Sequence, residues 1–174
     1  MKNTLKTVVC MILAVVFAAM LAGCHKPAVT PDNTQAPAKD YNVDEIAASI
    51  AANVTFEDPY LAFVPNREFA LTNYGVDPAL VADENGEKAS AIYVSGAYPE
   101  MIVCIKAVSE EAASTVMGNV KDLIKNYIEN YTSYTPEQVA KLENAVEVVR
   151  GNYVFVIVSN DNPAAETYLS GLLD

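Results

Sequence analysis

The stretch Tyr153–Val158 is the feature that most constrains the fold of this chain. Its six residues are all apolar, and most of them are β-branched or aromatic, which indicates a strand that is buried on both faces. Gly151-Asn152 precedes it and is what a two-residue type II′ turn requires. We therefore predict a hairpin that joins Val146–Arg150 to residues 153–159, with its second strand inside a sheet.

A second hairpin is predicted from residues 89–95 and 100–108, which flank Gly96-Ala97-Tyr98-Pro99. Its second strand is apolar on both faces from Met101 to Ile105, so it also belongs inside the sheet. The strands around Ile92 and Val148 are then the edges, and residues 55–65 form an irregular loop over the core.

Helices are predicted wherever a capping residue precedes a periodic apolar series. The starts are Asn42 with Glu45, Asp77 before Pro78, Ser109, Thr135 before Pro136, and Asn162 before Pro163, and Gly75 closes a short helix over Arg67–Asn73. The helix that begins after Ser109 has a broad apolar stripe from Ala113 to Tyr131. The fold class is α+β: an antiparallel sheet of about four strands in two hairpins, with helices mainly on one face.

The amino-terminal segment predicts export and lipidation. Lys2 and Lys6 precede a run of thirteen apolar residues, 8–20, and Leu21-Ala22-Gly23-Cys24 has the pattern of a bacterial lipobox. The run reaches only about 20 Å as a helix, which is too short for a hydrocarbon core of about 30 Å. We predict a signal peptide over residues 1–23 and a lipid on Cys24 that holds the protein on the outer side of the cell membrane. The alternatives are an ordinary secretory signal or an uncleaved short anchor, with Cys24 as a plain thiol.

The mature chain is then predicted to have a tether over residues 24–40 and one α+β domain over residues 41–174. The tether is rich in Pro, Ala and Thr, and such a segment spans up to about 50 Å when extended. Loss of Lys2 and Lys6 lowers the 11 basic residues to 9 against 22 acids, which changes the net charge from −11 to −13. This charge opposes nucleic acid as a partner and favours cations or basic partners, or it serves solubility alone.

Few residue types that carry catalysis or bind metals remain in the mature chain. Cys104 lies in an apolar run and is expected to be a small buried hydrophobe, and His25, the only histidine, lies in the tether. Asp83, Asn85 and Glu87 alternate as at the start of a calcium loop, but Gly86 is misplaced and no glutamate follows at the required distance. We predict no catalytic residue, no cofactor and no metal site.

Three tyrosines are candidates for a binding surface. Tyr127, Tyr131 and Tyr134 lie near the end of the long helix, where its stripe runs out of aliphatic residues. Tyrosine offers a large rigid surface with a polar tip, which suits recognition. The alternative is that Tyr127 and Tyr131 finish the core with their hydroxyls in water.

Several short motifs resemble one bacterial family, the domain of unknown function DUF4358. The motifs run in the same order and spacing, and they are Asn73-Tyr74-Gly75-Val76-Asp77, Ile105-Lys106-Ala107, Tyr134-Thr135-Pro136-Glu137-Gln138, Asn144-Ala145-Val146 and Gly151-Asn152-Tyr153-Val154. The resemblance covers roughly residues 44–172 and implies a bacterial lipoprotein. It implies no activity, cofactor or catalytic residue.

Two classes of function follow from these observations. The first is a non-catalytic module of the cell envelope that binds a protein or small ligand, with the membrane reached through Cys24. The second is a carboxylate-dependent hydrolase such as a glycosidase, which needs only two suitably spaced acids. The sequence leaves the oligomeric state open.

Overall fold

Five antiparallel strands form one sheet at the centre of the protein. The computed structural model describes residues 39–83 and 89–174, so the predicted signal peptide, Cys24 and most of the tether lie outside the described residues. The strands are β1 (Ala62–Phe63), β2 (Ser90–Val94), β3 (Met101–Lys106), β4 (Val146–Arg150) and β5 (Tyr153–Val158), in the spatial order β1-β2-β3-β5-β4. The predicted α+β class and both predicted hairpins are confirmed.

The expected number of about four strands is one too low, and the additional strand is β1. It pairs with β2 through Ala62 opposite Val94 and Phe63 opposite Tyr93. Both residues of β1 are exposed, so the strand lacks the alternation of buried and exposed positions that would distinguish it. The prediction therefore treated residues 55–65 as irregular. The edges are therefore β1 and β4: the prediction of an edge around Val148 is confirmed, and the one around Ile92 is wrong.

Helices cover both faces of the sheet, which corrects the expectation that they lie mainly on one. The five α-helices of the described residues are α1 (Val43–Asn53), α2 (Arg67–Asn73), α3 (Glu110–Tyr134), α4 (Val139–Glu143) and α5 (Asn162–Leu173). One core contains α2, α3 and α4 with Met101, Val103 and Ile105 of β3. The other contains α1 and α5 with Ile102 and Cys104. Strands that are apolar on both faces need apolar cover on both sides, and the helices divide accordingly.

Local signals place most of the turns and helix ends as predicted. Gly75 has a φ of 69°, and the N–H groups of Gly75 and Val76 donate to the carbonyls of Thr72 and Leu71, which is the Schellman arrangement that ends α2. Gly151 has a φ of 56°, and Arg150 pairs with Tyr153 across the two-residue turn.

Three helix starts differ from the prediction. Asp77 caps only a 3₁₀ turn, Pro78–Leu80, where a helix was predicted. Thr135 makes no side-chain capping bond; it ends α3, and a 3₁₀ turn, Pro136–Gln138, leads into α4. The cap of α5 is Asp161, whose carboxylate accepts from the N–H of Ala164. Asn162 is buried instead. Its side-chain amide accepts from the N–H of Ser159 and donates to the carbonyl of Lys141, so the residue that was expected to cap the helix makes a tertiary contact.

Candidate ligand-binding site

A cleft of about 290 Å³ lies where the β2–β3 turn meets the carboxyl-terminal part of α3. We call it the tyrosine cleft because four tyrosines line it, together with Asn130, Glu100 and the turn residues 95–99: they are Tyr74, Tyr98, Tyr127 and Tyr131. Tyr74 reaches the cleft from the end of α2 and Tyr98 from the turn. A concave site with aromatic walls and a few polar groups is what small-ligand sites usually have.

The structure brings two of the three predicted tyrosines together. Tyr127 and Tyr131 are half-buried, and their ring centroids are 6.4 Å apart. Tyr134 is the last residue of α3, is 85% exposed, and is not among the residues that line the cleft. Both Tyr127 and Tyr131 also pack against the core, so the core role and the cleft role are combined in the same side chains.

Two phenols of the cleft, those of Tyr74 and Tyr131, are held in their neutral form. Burial raises the pKa of Tyr74 well above its ordinary range, and the neighbouring Tyr127 phenol adds to the effect. Burial first, and then Tyr127, raise the pKa of Tyr131 as well. At neutral pH these groups therefore offer ring surface and hydroxyl groups, not charge.

The turn that forms one wall of the cleft is held by Asp58. One carboxylate oxygen of Asp58 accepts from the Ser95 hydroxyl at 2.6 Å and from the N–H of Gly96 at 3.2 Å. The Ser95 oxygen in turn accepts from the N–H groups of Ala97 and Tyr98, at 3.0 and 2.8 Å. The Ser95 hydroxyl, followed by backbone donors, lowers the pKa of Asp58, so the carboxylate stays ionised as an acceptor.

A buried carboxylate, Glu100, anchors the segment that carries Asp58. Its side chain is fully buried, and its two oxygens accept from the N–H groups of Glu57 and Asp58, both at 2.9 Å. The Lys141 ammonium lies 3.1 Å from one of these oxygens. Because a buried charge is stable only when it is paired and hydrogen-bonded, these contacts fix the segment before β1 to the start of β3.

Lys141 joins this carboxylate to the cleft wall. Its ammonium also binds Glu57 and lies 5.3 Å from the centre of the Tyr98 ring. Lys141 and then Gln138 lower the pKa of Glu57. We call Glu57, Asp58, Glu100 and Lys141 the ionic cluster; sequence analysis missed it, since acids beside strands and lysines on short helices are ordinary surface residues.

The residues that could carry other chemistry are placed elsewhere. Cys104 is fully buried, and burial raises the pKa of its thiol far above the ordinary range, which agrees with its expected role as a core residue. Within residues 39–83 and 89–174, no three His, Cys, Asp or Glu side chains are grouped so as to hold a metal. Asp83 pairs with Arg67, whereas Asn85 and Glu87 of the rejected calcium loop lie outside the described residues.

A larger concavity of about 580 Å³ is present beside α4, between the start of β4, the end of β5 and the start of α5. It is lined by short and polar side chains, including Asn144, Glu147, Asp161 and Glu166, and by Lys141. No aromatic residue is among its described lining residues. We therefore take the smaller tyrosine cleft as the candidate site, since its walls have the chemistry of a ligand pocket.

The fold and the cleft define a small α+β domain with a site at one end of its sheet. The model of the family Domain of unknown function (DUF4358) matches residues 71–159, which is about half of the chain, and this chain belongs to that family. The match confirms the resemblance and includes Tyr74, the β2–β3 turn and all of α3. No curated protein and no solved structure showed significant similarity.

No helix in the described part of the chain is both long enough and apolar enough to cross a membrane.

Proposed function

We propose that this protein is a lipid-anchored, extracytoplasmic protein of the cell envelope that binds a ligand or partner in the tyrosine cleft without catalysis. The anchor rests on the lipobox at Cys24 and its signal-like context. The binding role rests on one observation above all: the ionic cluster holds a surface turn in place as a wall of the cleft. A wall that is already ordered does not need to be ordered by the ligand, which favours binding.

The burial of Glu100 costs free energy, and this cost supports a functional role for the turn. Burying Glu100 removes a carboxylate from water, and an apolar pair in its place would often be as stable or more so. The hydrogen bonds that compensate it lead to Asp58, and from there to Ser95, Gly96 and Tyr98 of the turn. Core packing alone does not need such a chain of contacts to an exposed turn.

The carboxylates beside the tyrosine cleft favour this proposal over a glycosidase at that site. An acid catalyst of that kind needs a raised pKa, so that it carries a proton at neutral pH. The contacts of Glu57 and Asp58 lower the pKa of both groups. The two oxygens of Glu100 already accept from backbone N–H groups, which is the arrangement of a structural acceptor.

Ligand-detected NMR with an extract of the host cell envelope tests the proposed site. Saturation transfer to extract components is measured with the wild-type protein, Tyr131→Ala and Tyr134→Ala. We expect transfer signals with the wild type and with Tyr134→Ala, and their loss with Tyr131→Ala, because of these two tyrosines Tyr131 lines the cleft and Tyr134 does not.

The melting temperatures of the same variants complete the test. Tyr134 is 85% exposed, so its replacement should leave stability nearly unchanged, and this variant is the matched control. Signals that are equal in all three proteins would place binding elsewhere. Signals absent from the folded wild type would contradict the binding role itself.

A further inference from the structure

The walls of the tyrosine cleft are rich in aromatic surface and poor in positive charge. Four of its lining residues are tyrosines, and none of its described lining residues is a lysine, arginine or histidine. The face of an aromatic ring carries partial negative charge and attracts cations, most strongly where water is excluded. An anionic ligand would find no counter-charge on these walls.

The ionic cluster behind the turn adds negative charge to the same end of the sheet. It contains three carboxylates, Glu57, Asp58 and Glu100, and one ammonium, Lys141. With all four groups ionised, the cluster carries two net negative charges. The chain as a whole has a net charge of −11, so the long-range field attracts cations to this protein.

One ring of the cleft already contacts a cation. The Lys141 ammonium lies 5.3 Å from the centre of the Tyr98 ring, within the range of a cation–π contact. The cleft, at about 290 Å³, is at the small end of ligand pockets. That volume suits a compact group such as a substituted ammonium better than an extended ligand.

We infer that the tyrosine cleft binds an organic cation, through an alkylammonium group held among Tyr74, Tyr98, Tyr127 and Tyr131. This inference deepens the proposed function and rests on it for the choice of site. The alkylammonium group is either part of a free small molecule or the end of a lysine side chain on a partner protein.

A matched pair of probes tests the role of charge. Choline and its neutral isostere 3,3-dimethylbutan-1-ol have nearly the same shape, and they differ in the positive nitrogen. Each is titrated into the full-length protein purified in detergent, by calorimetry and by tyrosine emission, which is unobscured because the chain has no tryptophan. We expect choline to bind about ten-fold more tightly, which corresponds to about 1.4 kcal/mol and lies between the values for exposed and for desolvated cation–π contacts.

Substitutions at Tyr131 distinguish the contribution of its aromatic ring to binding from that of its hydroxyl group. Tyr131→Phe keeps the ring and should bind choline within about two-fold of the wild type, whereas Tyr131→Leu removes the ring and should weaken binding about ten-fold. Tyr134→Leu is the control outside the cleft and should change nothing. A titration with N-acetyl-lysine N-methylamide identifies the source: tighter binding than choline indicates a partner protein, and weaker binding indicates a small molecule.

Several results would overturn the inference. Equal affinity for choline and its isostere would remove the role of charge, and equal losses in Tyr131→Phe and Tyr131→Leu would indicate hydrogen bonding to a neutral ligand such as a sugar. If choline and the lysine derivative do not bind while extract signals still depend on Tyr131, the cation inference is wrong and the proposed function stands. If the extract signals also fail, both are wrong.

Discussion

At the scale of single residues, Glu100 and Lys141 do most to shape the candidate site. The Glu100 side chain is 0% exposed and that of Lys141 is 12% exposed. Their contact is therefore shielded from water, so the removal of one partner costs more stability than the loss of a surface ion pair. The pair shapes the candidate site because Glu100 holds the backbone of residues 57–58 and Lys141 faces the Tyr98 ring.

Replacement of Lys141 by methionine should destabilise the protein by about 3 kcal/mol, because it leaves a buried carboxylate without its counter-ion. The free energy of unfolding is measured by denaturant titration. Lys121→Met is the matched control: Lys121 pairs with Glu147, but its side chain is 53% exposed, so its loss should cost less than about 1 kcal/mol. Similar losses in the two variants would show that the Glu100–Lys141 pair is no stronger than a surface pair.

At the scale of elements, the hairpin β4–β5 depends on its two-residue turn. Gly151 adopts a φ of 56°, which residues with a Cβ atom rarely adopt. The neighbouring Asn152 ties the turn to the end of β3: its side chain donates to the carbonyl of Ala107 at 2.7 Å, and its own carbonyl accepts from the N–H of Ala107 at 2.7 Å. The turn therefore sets the register of β5 against both β4 and β3.

Gly151→Ala should destabilise the protein by about 1–2 kcal/mol, the cost of a left-handed conformation for a residue with a Cβ atom. A steric clash is not the cause, because the nearest atom to an added Cβ would be Oε1 of Glu110 at 3.9 Å. Gly118→Ala, at an exposed position inside α3 with no atom within 4 Å of an added Cβ, should instead stabilise by about 0.5–1 kcal/mol. Thermal unfolding measures both, and shifts of the same sign would contradict this account of the turn.

At the scale of the whole molecule, the candidate site and the amino-terminal end of the domain lie at opposite ends of the sheet. Glu100 and Met101, at the start of β3, line the cleft. At the other end of β3, Lys106 and Tyr153 bind the carboxylate of Asp40, and the amine of Lys39 donates to the carbonyl of Leu173. Six strand residues span about 20 Å, so Asp40 and the cleft are about that far apart along the sheet.

The anchor at Cys24 remains a prediction and is tested by mass spectrometry of the membrane fraction. We expect Cys24 as the first residue, carrying lipid, because more than one acyl chain gives stable attachment. Cys24→Ala should lose this modification and leave the membrane fraction. Cys104→Ala is the control and should stay there, because Cys104 is buried in the core. Firm retention of Cys24→Ala on the membrane would contradict the prediction that the protein is a lipoprotein.

The sequence alone determined the parts of this fold that depend on neighbouring residues. Turn chemistry at Gly75 and Gly151, the cap at Ser109 and the apolar periods of α3 and β5 each act within a few residues of the chain. For the same reason Tyr127 and Tyr131 could be chosen as candidates, since the end of an amphipathic stripe is visible in the sequence.

Tertiary structure alone decided β1, the division of the helices between two faces, and the candidate site. Glu57 meets Glu100 across 43 positions of the chain, and Glu100 meets Lys141 across 41. Tyr74 and Tyr98 reach the cleft from a helix end and a turn whose own sequences carry no sign of a shared wall. A charged residue near a strand is ordinarily expected at the surface. Glu100 is buried only because distant segments of the chain fold around it, and its carboxylate must then be paired.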